Sequence, residues 1–370
     1  MKKLIATLLV AMIAFAAFAG IAFTVDTFAQ YAGPNDPAQD KEHVPQGFSI
    51  RGADEDIFAD MNATLTKGPV NASLNVRFTM PDEKYSGAPV KIHGWDITSR
   101  ITSWLKLSVG NTPYELFAEG ISWEPIGGAG LFEQGRNRLY FDMQFDDFQV
   151  IAGVSMNGSA EDFSPDLKKP WKTLQAAVVY DIPLTVKLAA EFSMVSKLMS
   201  VSTDYDDGDV KSFSFQANYV GVENLDVVAG YTLIMAESAV VQHRADLFAS
   251  YVAEQFEVQL YDAFLLRLVE GAGNGNRLGF KFSYYATETL TPYITANWFK
   301  NYGYPAGAGG YAWGDCQIYG PGAEKSLIVI DAGLGFTISD NLSGTVGGVL
   351  KFVKDSDMFW SIPLRLTATF

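Results

Sequence analysis

The last twelve residues, Phe359-Trp-Ser-Ile-Pro-Leu-Arg-Leu-Thr-Ala-Thr-Phe370, alternate without a break. Trp360, Ile362, Leu364, Leu366, Ala368 and Phe370 make an apolar row. Ser361, Pro363, Arg365, Thr367 and Thr369 make a mostly polar one. Successive side chains of a strand point to opposite faces. A period of two therefore describes an extended segment with one face in an apolar medium and the other in water.

The same design recurs along the chain. Phe213, Phe215, Ala217 and Tyr219 alternate with Ser212, Ser214, Gln216 and Asn218. Leu278, Phe280, Phe282 and Tyr284 alternate with Arg277, Gly279, Lys281 and Ser283, and Ile330 to Ile338 repeats the pattern before a turn at Ser339-Asp-Asn341. The first half is noisier: Leu74, Val76, Phe78 and Met80 oppose Ser73, Asn75, Arg77 and Thr79, and Leu184 to Met194 alternate in the same way.

The connections differ in size, and short ones alternate with long ones. Short turns fall near Lys67-Gly-Pro69, Gly110-Asn-Thr112, Asp146-Asp147, Asp181-Ile-Pro183, Glu223-Asn224, Glu254-Gln255, Glu288-Thr289 and Asp340-Asn341. Long loops are expected over Pro81–Asp96, Glu124–Gly135, Asn157–Trp171, Lys197–Val210, Leu268–Asn276 and Asn301–Lys325. Strands whose apolar rows meet lipid need every backbone group paired, and only closure removes the sheet edges. The expected fold is all-β: an antiparallel up-and-down transmembrane β-barrel with short periplasmic turns and long extracellular loops. The clear segments number about 17. A weaker one at Gln46–Arg51 makes about 18, and dropping the noisy Ile97–Ser108 and Tyr114–Ile121 makes about 16.

The N-terminus carries a different signal. Met1-Lys-Lys is basic, Leu4 to Phe18 is apolar but too short to span a bilayer, and Ala17-Phe-Ala19 offers a small-x-small cleavage site. Residues 1–19 read as a secretory signal peptide, with a cut as late as Ala29 the alternative. Residues 20–46, with Pro34, Pro37 and Pro45, read as a flexible arm, and residues 47–370 as the barrel. Losing Lys2 and Lys3 leaves 25 basic against 42 acidic residues, a balance of −17. Such an excess speaks against nucleic acid as a partner. The lone Cys316 allows neither a disulfide framework nor a Cys-rich metal site, and no cofactor is indicated.

The exported start, the alternating strands, the two loop sizes and the terminal Phe370 together resemble Gram-negative outer-membrane β-barrels, and porins among them. The resemblance implies a C-terminal Phe370 read by the barrel-insertion machinery. It also implies a homotrimer, an inward-folding loop and passive diffusion of small hydrophilic solutes across the outer membrane.

The polar rows supply the candidate pore lining. Bases expected to face the lumen include Arg77, Lys106, Arg138, Lys187, Lys281, Lys351 and Arg365, with Arg244 and Arg277 in the same phase. The matching acids include Glu115, Asp142, Glu191, Asp246 and Asp331. Charges facing lipid at mid-depth would cost about 2–4 kcal/mol each, so these belong in water. Acids cluster in loops at Asp54-Glu-Asp56, Glu161-Asp162 and Asp204 to Asp209, where they would favour cations at a pore mouth or simply keep the loops solvated. The loop Asn301–Lys325 holds Tyr302, Tyr304, Tyr311 and Trp313 among glycines and is the candidate constriction.

An enzyme is not expected: His43 lies in the arm and His93 in a long loop, and Gln242-His243-Arg244-Ala-Asp246 offers a lone imidazole beside charges with no partner serine placed by spacing. Two rivals stay open, a plugged barrel carrying apolar solutes and a surface adhesin or structural barrel without a pore.

Overall fold

The computed structural model describes residues 21–32, 47–49, 58–79, 90–110, 138–155, 174–183, 185–194, 210–236, 239–268, 274–301, 326–353 and 358–369. These residues form nineteen strands in one sheet. The strands are β1 (Ile21–Ala32), β2 (Gly47–Ser49), β3 (Phe58–Lys67), β4 (Val70–Thr79), β5 (Val90–Arg100), β6 (Leu105–Gly110) and β7 (Arg138–Phe145). The middle of the chain adds β8 (Phe148–Ser155), β9 (Leu174–Ile182), β10 (Val186–Met194), β11 (Val210–Val222), β12 (Leu225–Ala236) and β13 (Ala239–Val252). The last six are β14 (Phe256–Arg267), β15 (Gly275–Tyr284), β16 (Leu290–Lys300), β17 (Ser326–Ser339), β18 (Leu342–Val353) and β19 (Phe359–Thr369).

Closure is made by β1 and β19, which pair antiparallel from Thr24↔Thr369 to Ala32↔Ser361. On its other edge β1 meets two short partners in line: Gln30 to Ala32 pair with β2, and Ile21 to Asp26 pair with β3. β2 and β3 therefore share one position in the ring, which makes the barrel 18-stranded. An antiparallel, up-and-down barrel is what the alternation and turn spacing predict.

Three details differ from the sequence reading. Residues 21–32 are not an arm: Ile21, Phe23 and Val25 alternate with Ala22, Thr24 and Asp26, a strand pattern hidden where apolar character runs on from the leader. The turn placed at Gly110–Thr112 lies instead at 101–104, where the Ile101 and Thr102 amides donate to the Leu105 carbonyl. The loop placed over Pro81–Asp96 contains the start of β5, whose alternation slips by one residue at the register shift opposite Asn75 and Val76. A bulge of this kind defeats a period-two search.

The short turns sit at one end of the barrel. Gly68 (φ 58°), Asp146 (φ 43°) and Asn224 (φ 63°) take left-handed conformations there, which Gly, Asn and Asp tolerate best. The connections at the other end are mostly long, but β12 and β13 are joined by residues 237–238 alone and β18 and β19 by 354–358. The β18–β19 ladder is interrupted near its middle: the strands pair at Val346↔Leu364 and next at Val349↔Ser361. Pro363, in the gap, has no N–H to give, and a closed barrel has no edge on which to hide it.

Candidate functional site

The two faces of the wall are inverted relative to a soluble protein. On β15 Arg277 is 3% exposed while its neighbour Leu278 is 46% exposed. Ser212 and Ser214 are buried beside exposed Phe213 and Phe215 on β11, and Asp246 beside exposed Leu247 on β13. The apolar row therefore looks out and the polar row looks into the barrel. Aromatic pairs cluster near the short-turn end of the outer face: Trp104 stacks on Phe145, and Tyr251 and Phe282 flank Phe256. Trp104 and Tyr251, each apolar with one polar tip, suit the level of lipid headgroups.

The interior row is built from charge pairs within a strand or between strands one or two apart. Arg77 on β4 meets Asp60 on β3 in a two-point contact of 2.8 and 2.7 Å. Lys106 on β6 lies 3.2 Å from Asp142 on β7, which also accepts from Gln149. Arg138 reaches Asp96 at 3.4 Å and sits over the Tyr140 ring. Arg244 donates to Asp246 at 2.8 Å and to the Tyr261 hydroxyl, which donates on to Asp246. Arg277 lies 5.0 Å from the Tyr261 ring centre and 5.1 Å from that of Phe299, with Asn297 accepting from its guanidinium. Lys281 stands 3.9 Å from Glu257, and Tyr293 donates to Asp331. Every one of these contacts joins the same strand or nearby strands, so register positions them.

Of the lining residues expected from sequence, Arg77, Lys106, Arg138, Asp142, Glu191, Asp246, Lys281, Asp331 and Lys351 occupy inward positions, buried or half-buried. Lys187 and Arg365 share that face but are exposed. Glu115, the constriction candidates Tyr302, Tyr304, Tyr311 and Trp313, and the terminal Phe370 lie outside the described residues, as do the acidic loops. Asp60 and Asp96, partners of two of the bases, were not foreseen. Asp60 falls on the face opposite the Ala59, Met61, Ala63 row, in step with Asn62, and was legible; Asp96 was obscured by the bulge in β5.

Burial of the inner face is uneven. Facing the middle and the long-connection end, Gln175, Ser193, Leu265, Ala263 and Leu327 are almost fully buried. Towards the short-turn end burial is mixed: Lys187, Asp226 and Arg365 are exposed, while Ser250 and Ser283 are buried. An apolar group, including Phe248, Leu265, Phe299, Leu327, Val329 and Val349, lies on the inner side of β12–β18 among the charged pairs. Of the histidines, His93 lies at the bulge of β5, and His243 points outward on β13 and contacts the Tyr231 hydroxyl. Among the described residues no group of three metal-binding side chains occurs.

Solved structures match this architecture over most of its length. A BenF-like porin from Pseudomonas fluorescens Pf-5 aligns with a TM-score of 0.63 at 9% identity, covering 95% of this chain and 98% of that one. The fold is that of an outer-membrane porin. Pseudomonas aeruginosa OpdK, solved with vanillate, aligns at 0.58 and 10% identity over 95% of this chain and 98% of its own. Acinetobacter baumannii OccAB4 aligns at 0.59 and 8% identity over 95% of this chain and 97% of its own. No family model matches the chain, and neither does any curated relative.

Proposed function

We propose that the chain is an outer-membrane channel for passive diffusion of small hydrophilic solutes. The inversion of burial on a closed 18-stranded wall carries this reading, because an apolar exterior suits lipid and a barrel of this size leaves room for an aqueous path. The porin neighbours are in keeping with it. Residues 1–19 serve as the export signal, and Phe370 marks β19 for the insertion machinery. The charged inner row lines the path, and the acidic loops give a weak preference for cations. The assembly is a homotrimer.

The near-complete burial of Gln175, Ser193 and Leu327 in the outer half supports a constriction at that level. Side chains reaching from an 18-stranded wall do not close the lumen unaided. We assign the constriction to the loop bearing Tyr302, Tyr304, Tyr311 and Trp313. The apolar inner group on β12–β18 is the one observation favouring the rival, a carrier of apolar solutes.

Single-channel recording of the refolded chain in a planar bilayer tests the reading. Steady conductance is expected, with a reversal potential of cation-selective sign under a salt gradient. Deleting residues 303–323 is expected to raise the conductance. A folded, heat-modifiable barrel that stays silent overturns the channel and favours the apolar carrier or an adhesin.

A further inference from the structure

We propose that the inner wall formed by β9, β10 and β11 is a binding track for a neutral polyhydroxylated solute, a sugar or sugar alcohol. This rests on the channel reading, which brings solutes to the wall. The inner row of β11 reads Ser212, Ser214, Gln216 and Asn218, hydroxyls and amides without a charge. Register sets Gln175 of β9 opposite Ser193 of β10, and Ser193 opposite Ser212 of β11. Glu191, one inward step away, stands opposite Ser214.

The local hydrogen bonds leave this patch incomplete. The Ser193 hydroxyl donates to Glu191 Oε1 at 2.5 Å, and the Tyr140 hydroxyl donates to Gln175 Oε1. Gln175 Nε2, Glu191 Oε2, Ser212 Oγ and Asn218 Oδ1 are buried without a hydrogen-bond partner. Gln175, Ser212 and Glu191 are 0, 2 and 4% exposed, so bulk water does not serve them. Unmatched buried polar atoms are disfavoured, and several on adjacent strands point to a missing shared partner. The contrast with the charged part of the wall is direct. Asp60, Asp96, Asp142, Asp246 and Glu257 each face a base in an ion pair; no such pair involves Glu191 among the described residues.

The chemistry of the four atoms selects the ligand. An amide N–H must donate, a carboxylate and an amide oxygen must accept, and a serine hydroxyl can do either. A carboxylate solute at the Gln175–Ser212 end would meet Glu191 as a like charge, since the one base on this inner row, Lys187, lies four residues along β10, opposite Asn218. A bare cation would leave the Gln175 amide N–H unmatched and facing it. A hydroxyl group accepts from Gln175 and donates to Glu191 at once, and a neighbouring hydroxyl of a polyol repeats that match towards Ser212.

The test uses sorbitol and glucose, with vanillate and a polyethylene glycol of similar size as controls. Each is added to the wild-type channel in a planar bilayer and, independently, to the detergent-folded barrel for saturation-transfer NMR. Sorbitol is expected to reduce the current saturably and to receive saturation from the protein. Gln175→Leu, Glu191→Gln and the minimal Ser212→Ala should each raise the half-saturating concentration about three- to tenfold. Ser343→Ala, on β18 across the barrel, should leave it unchanged. A sorbitol effect no greater than that of the glycol, as for a patch holding trapped water only, overturns the proposal. So does an effect that survives all three substitutions in heat-modifiable, folded protein. Saturation by vanillate alone would assign the wall to carboxylates instead. A silent bilayer would sink the channel reading, while the NMR arm would still decide the track.

Discussion

Arg77 grips Asp60 by two parallel hydrogen bonds, Nε to Oδ1 at 2.8 Å and Nη2 to Oδ2 at 2.7 Å, across the first hairpin inside the ring. The pair is partly shielded, with side chains 21% and 11% exposed. Removing either partner leaves a charge facing the interior. Arg77→Leu is expected to cost about 1–2 kcal/mol in unfolding experiments in vesicles, below the range for fully buried pairs because water reaches this one. A double-mutant cycle with Asp60→Leu should recover much of that loss as coupling.

The outer face gives a second expectation. Leu260 is 53% exposed on β14, and Gln259 beside it points inward to Glu257. Leu260→Arg places a cation against lipid and should destabilise by about 2–4 kcal/mol, while Gln259→Arg should cost far less. Equal costs at the two positions would mean the faces are assigned the wrong way round.

β1 makes a prediction about processing. A cut after Ala19 leaves Ile21–Ala32 whole, whereas a cut after Ala29 removes most of the residues that pair with β19 and β3. The mature protein is therefore expected to begin at Gly20 by N-terminal sequencing. A chain begun at Gln30 should lose the heat-modifiable gel shift of a closed barrel.

One titration lies outside the spanning strands. Burial raises the Tyr285 phenol above its usual 10.0, and the Glu257 carboxylate, whose Oε2 accepts from it at 3.4 Å, adds to the effect. The folded state thus holds this proton more tightly than the unfolded state. The resulting stability is complete below about pH 10 and is lost as pH rises through the higher folded value. Phenolate absorbance in Tyr285→Phe should lack one phenol's worth of the titration that the wild-type protein shows above the ordinary range.

Alternation made the hairpins from β11 to β18 legible, because hydrophobic rows such as Leu278–Tyr284 survive any register. Partners were not legible for the same reason. Sliding one strand by two residues keeps every side chain on its face while exchanging its neighbours across the ladder, so the contact of Arg244 with Tyr261 and the isolation of Glu191 needed the register itself, whereas Arg244 and Asp246 share a face two residues apart on one strand. β5 escaped because its bulge changes phase at His93-Gly94, and β1 because an apolar leader runs into it. The count of eighteen came out right although two of its members were placed differently.

Pro363 sets how firmly β19 is held on either side. Its seam with β1 runs unbroken from Thr24 to Ala32, while its seam with β18, its own hairpin partner, lapses at Gly347 and Gly348. The contact between residues furthest apart in the chain is thus the more continuous one. Under mechanical load the last strand would part from its sequence neighbour first and leave with the first strand, so the two ends of the polypeptide behave as one hairpin joined through space.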